Sequence, residues 1–130
     1  MTQEDKKILF QDLATRLPYM VKVKVWLKDG TTEEGPLDLG HNYADVLLDA
    51  FYYNKIKDIK PYLRPISSMT EDERKEYELL ANHCIVTSIG FIHLEVAQLT
   101  DWLNAHHFDF RNLIEKGLAI EVTEENNPYK

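Results

Sequence analysis

Cysteine is the scarcest chemical resource in this 130-residue chain: Cys84 stands alone, so no disulfide can form within it. The expectation that follows is a reducing, cytoplasmic setting. Glycine and proline are also sparse, five of each, and the glycines are scattered. None of them builds a phosphate-cradling P-loop or a dinucleotide fingerprint, and no G-x-S-x-G nucleophile elbow is present. No apolar run approaches the ~20 residues that span a bilayer, and the first residues lack the apolar stretch of a signal peptide, so no membrane partner is expected. Positive charge is in deficit, with 15 Lys and Arg against 22 Asp and Glu.

The deficit is local. Residues 1–18 hold three basic and three acidic groups, residues 19–64 hold seven of each, and residues 65–130 hold five against twelve. The net charge of −7 therefore sits wholly in the second half, and the neutral first half is free to carry a basic face. Apolar residues at 44% and aromatics at 11% are ordinary for a globular protein and argue against disorder. The length fits one domain, 1–130, with no linker or internal repeat, and a chain of this size folds without a metal or disulfide staple.

Periodicity divides the domain. A helix is expected over 2–17, with Thr2 as its cap, Ile8, Leu9, Leu13 and Leu17 as its apolar stripe, and Pro18 as its stop. Strict alternation from Met20 to Lys28 predicts a half-buried strand, with Val21, Val23, Val25 and Leu27 inward and Lys22, Lys24, Trp26 and Lys28 outward. Asp29-Gly30 predicts a hairpin turn with both residues at positive φ, and Thr31–Leu39 the returning strand, with Gly35-Pro36 at a bulge or edge. Val46–Tyr53 and Ile56–Leu63 complete an antiparallel meander over 20–63. Thr70-Glu-Asp-Glu73 has the form of a capping box and opens a helix to about Asn82. Cys84–Ile92 reads as β-rich, Leu94–His106 as helix, and Phe108–Lys116 as a short helical piece stopped by Gly117. Leu118–Val122 reads as a terminal strand, and 123–130 as a polar tail. The class is α+β, with C-terminal helices packed on a small sheet that an SH3-like arrangement would satisfy.

Chemistry-bearing clusters are few. His106, His107 and Asp109 have the donor types of a metal site, but neighbouring histidines diverge on a helix, and packing or helix-end charge accounts for them as well. His93-Leu-Glu95 has half of a zinc-deaminase signature without the cysteine half. His83 beside Cys84 has the types of a thiolate pair, yet catalytic pairs meet in space rather than in sequence. Glu33-Glu34 and Glu124-Glu125 read as solvated surface. No catalytic set, metal or cofactor is expected. The remaining cluster is basic and aromatic: Lys22, Lys24, Trp26, Lys55, Lys57, Lys60 and Arg64, with Tyr52, Tyr53 and Tyr62 nearby. Cations interleaved with rings suit single-stranded nucleic acid, the cations meeting phosphate and the rings stacking on bases. Lysine on an exposed strand equally serves to block edge-to-edge aggregation.

Two resemblances add to this. Val23–Ala50, with Lys28-Asp29-Gly30, Gly35-Pro-Leu37, Asn42 and Val46-Leu-Leu-Asp-Ala50, resembles the first motif of Sm-like RNA-binding proteins, in which the His41-Asn42 region would lie near the RNA. The second Sm motif is missing, so the resemblance implies a small twisted meander. Lys60-Pro-Tyr-Leu-Arg-Pro-Ile-Ser-Ser-Met-Thr70, Asp101-Trp102 and His107-Phe-Asp-Phe-Arg-Asn-Leu-Ile-Glu-Lys-Gly-Leu-Ala-Ile120 together resemble an uncharacterised family of small proteins of gut bacteria, often encoded in phage or prophage regions. That family implies a mobile-element accessory role and supplies no catalytic residue. The expectation is a non-catalytic accessory protein with an unknown protein partner. The alternative is a nucleic-acid-binding module using the seven basic and aromatic residues.

Overall fold

A computed structural model describes residues 2–37, 56–86 and 92–130. The expected strand at 46–53, Lys55, Tyr52 and Tyr53, the His41-Asn42 region and the side chains of His83, Cys84, His93 and Glu95 lie outside the described residues.

Helix α1 spans Gln3–Arg16. Thr2 caps it by accepting the Asp5 amide at 3.0 Å, and Asp5 returns the bond to the Thr2 amide at 3.3 Å. Pro18 falls in a 3-10 turn, Leu17–Tyr19, and Met20 takes a left-handed conformation (φ 52°) that turns the chain into the sheet. Strand β1, Lys22–Leu27, follows, then β2, Thr32–Pro36. The hairpin between them uses a three-residue loop. The Gly30 amide bonds Leu27 O at 3.1 Å, the Leu27 amide bonds Thr31 O at 2.9 Å, and of the loop residues only Gly30 has positive φ, at 92°. Asp29 is therefore not left-handed as expected. Its carboxylate instead accepts the Thr31 amide and hydroxyl, at 2.9 and 2.6 Å.

Strand β3, Ile56–Leu63, pairs antiparallel with the other side of β1, with a register shift at Trp26/Leu27. The described sheet thus runs β2-β1-β3-β4. Strand β4 is the two-residue Ile120–Glu121, and its pairing with β3 is parallel, so the sheet is mixed. Strands β1 and β3 are the inner pair of that order, and Val23 and Val25 of β1, with Val21 just before it, are buried on one face.

After a second 3-10 turn, Ile66–Ser68, helix α2 runs Glu71–Val86. Its capping box forms as expected, with the Glu73 amide donating to Thr70 Oγ1 at 3.2 Å and the Thr70 amide to Glu73 Oε1 at 2.9 Å. The first part of the expected β-rich run, to Val86, is helical. Once a capped helix is nucleated, each added residue gains a backbone bond, and this outweighs the weak strand preference of β-branched residues. Helix α3 spans Ile92–Ala105. The expected helical piece at 108–116 is a series of turns. Asn112 is left-handed (φ 58°), and the Asp109 carboxylate takes the Leu113 and Ile114 amides at 2.9 Å each. Gly117 has the expected positive φ, at 74°.

The protein is α+β, and its described residues hold an N-terminal helix, a sheet of four strands and C-terminal helices. One core lies between α1 (Leu9, Leu13), the inner sheet face (Val21, Val23, Val25, Ile59, Leu63) and the turns at Leu113 and Leu118. A second gathers Met69, Leu103 and Phe108 with Tyr77, Leu99 and Trp102 between α2 and α3. No helix among the described residues is long and apolar enough to cross a membrane.

Candidate functional site

The basic-aromatic residues separate into three groups. The alternation of β1 puts Lys22, Lys24 and Trp26 opposite the buried valines. Register then sets Lys24 between Glu34 of β2 and Lys60 of β3, and Trp26 between Thr32 and Asp58. The Lys24 and Lys60 ammonium groups lie 5.3 and 5.8 Å from the Trp26 ring centroid, close enough for cation–π attraction. Lys24 also approaches Glu34 at 3.7 Å. Tyr62 donates its hydroxyl to the same carboxylate at 2.6 Å. Burial, reinforced by Glu34, pushes the Tyr62 hydroxyl up to about 12, so it remains a donor at any ordinary pH. This outer face is consequently a half-buried tryptophan flanked by two lysines, with Glu34 and Asp58 interleaved.

Arg64 does not join it. Its guanidinium makes a bidentate pair with Glu73, at 2.8 and 2.7 Å, bonds Ser68 O at 3.3 Å and lies 4.3 Å from the Phe108 ring centroid. The Arg64 bonds hold the Glu73 carboxyl down to about 2, against the opposing effect of its partial burial. Arg64 therefore ties β3 to the start of α2. Lys57 sits at the entry to β3, where it lines a cleft with Lys60 and Lys116.

The histidine cluster has structural work. His106 Nδ1 lies 2.9 Å from Trp102 O, and its ring is 4.2 Å from the Trp102 ring. His107, left-handed at φ 63°, stacks on Tyr129 at 3.7 Å and 9° between planes. Burial first, then the positive charges of Arg16 and Arg64 and the neighbouring His106, depress the His107 imidazole to about 4. It is neutral near pH 7, so it supplies no positive charge to a helix end. Asp109 is committed to the Leu113 and Ile114 amides. Among the described residues no three His, Cys, Asp or Glu side chains are grouped to hold a metal.

Two arrangements escaped the sequence. Asp12 and Arg16, both fully buried, pair at 2.7 Å. Arg16 also bonds Phe108 O at 2.7 Å, and Arg111 closes the set onto Asp12 at 2.9 Å. The i,i+4 spacing of Asp12 and Arg16 was a visible signal, but such pairs are normally solvated. The C-terminal segment is no free polar tail either. The Tyr129 hydroxyl accepts the Lys22 amide at 3.0 Å and donates to Tyr62 O at 2.7 Å, pinning the chain beside β1 and β3.

No family model matches the chain, and neither does any curated protein or solved structure.

Proposed function

We propose that this chain is a non-catalytic binding module for a protein partner, engaged through the outer sheet face centred on Trp26. The observation that carries this is the make-up of that face. A tryptophan and a tyrosine hydroxyl are set among charges of both signs, with Lys24 and Lys60 close to Glu34 and Asp58. Aromatic anchors rimmed by mixed charge fit protein surfaces, where tryptophan and tyrosine are enriched among the few residues that dominate binding energy. Nucleic acid asks instead for a continuous positive surface, and here Arg64 is consumed by Glu73 and the whole chain carries −7. The mobile-element accessory role implied by the motif resemblance belongs to the same proposal.

The test compares proteins captured on the immobilised wild-type chain and on Trp26→Ala, after equal thermal unfolding of the two has been verified. A partner retained by the wild type and lost with the variant supports the proposal. Salt-sensitive binding of single-stranded oligonucleotides, measured by fluorescence polarisation at about 50 and 200 mM salt, would replace it with the nucleic-acid alternative.

A further inference from the structure

A second site adjoins the Trp26 face along β3. Three lysines reach one cleft of about 330 Å³ from two directions: Lys57 and Lys60 from β3, and Lys116 from the turn that precedes Gly117. The volume is at the lower end of small-molecule sites, which run roughly 300–1,000 Å³. Buried Leu118 contributes an apolar wall. The first turn of α1 also borders the cleft through Asp5, and this is the positive end of a fourteen-residue helix.

Among the described residues none of the three lysines makes an ion pair. Two aspartates line the same cleft, and among the described residues neither lies within ion-pair distance of these lysines. Asp5 gives one oxygen to the Thr2 amide at 3.3 Å, and Asp58 gives one to the Ile59 amide at 2.9 Å. Among the described residues that line it, the cleft therefore holds three ammonium groups against two carboxylates, each of which spends one oxygen on a backbone amide. From this geometry we propose that the cleft binds a small phosphorylated ligand, the phosphate dianion being held by Lys57, Lys60 and Lys116 and the remainder lying toward Leu118. A compact dianion met by several point charges is the chemistry for which lysine serves as well as arginine. The cleft shares Lys60 and Asp58 with the Trp26 face, whereas Lys57 and Lys116 take no part in that surface, so Lys116→Gln tests the cleft alone.

The experiment is a calorimetric titration of the full chain, at low salt, with inorganic phosphate, glucose 6-phosphate and glucose. Saturable binding of phosphate or glucose 6-phosphate, weakened about tenfold in Lys116→Gln and unchanged in Lys75→Gln on α2, is the expected result. Tighter binding of the sugar phosphate than of phosphate identifies a phosphorylated metabolite, and equal binding identifies the free anion. No saturation below about 10 mM overturns the proposal. So does binding that Lys116→Gln leaves intact, or glucose binding as well as its phosphate.

Discussion

His107 shows how a side chain with catalytic credentials becomes a structural one. Its ring is stacked on Tyr129, and its basicity is depressed to about 4 by burial and nearby cations. Unfolding restores the ordinary value of 6.5, so between about 6.5 and about 4 the unfolded chain binds a proton that the folded chain refuses. Stability must therefore fall as pH drops through that window and gain nothing more from this residue above it. Thermal melting of wild type and His107→Phe across the window checks this. The variant keeps an aromatic ring over Tyr129, and its melting temperature is expected to decline less with acid. The sequence displayed the donor types at 106, 107 and 109 but not their surroundings. Metal ligation and packing use the same residues, and only burial separates them. Arg64 makes the same point, since nothing in its neighbours announces that Glu73, nine positions on, will take its charge.

At the scale of elements, local rules carried far. The Thr70 capping box, the alternation of β1 and the positive φ of Gly117 depend on interactions within a few residues, and each is found where its pattern lies. Patterns failed where two local preferences competed. The Asp29-Gly30 turn became a three-residue loop because the Asp29 carboxylate found the Thr31 amide. The 108–116 segment lost its helix because Asp109 and left-handed Asn112 offered its backbone other partners. The hairpin gives a clean test. A Cβ at Gly30 would meet nothing within 4 Å, so Gly30→Ala adds no clash and costs only the strained φ of 92°. Urea denaturation should show a loss of about 1 kcal/mol with an unchanged slope. Strand order was less legible: β3 returns to β1 across the sheet, and β4 joins from more than fifty residues further on. Pairing between distant segments leaves no trace in either segment alone.

The whole molecule is held by interactions that cross it. Arg16, in the first helix, reaches the Phe108 carbonyl, while Arg111 reaches back to Asp12. Leu9 and Leu13 share a core with Leu113 and Leu118. Removing the carboxylate that both arginines use leaves a fully buried guanidinium without its counter-charge. Asp12→Ala is therefore expected to cost about 3–5 kcal/mol in chemical denaturation, well above an ordinary surface ion pair. The Trp26 face is also a product of this scale. Lys24 and Lys60 are distant in sequence and meet over the ring only because β3 pairs with β1.

The bond from Arg16 to Phe108 spans 92 residues, and this sets a schedule for the chain as it is made. At ~5–20 residues per second, translation separates the two partners by about 5–20 s. A helix of fourteen residues forms in well under a millisecond, so α1 can coil and pair Arg16 with Asp12 long before its last acceptor leaves the ribosome. Over that interval the guanidinium must stay in water, and with it the face of α1 destined for the interior. The N-terminal third is thus born without the surface it will bury against, and sealing of the core waits on arrival of the 108–118 segment.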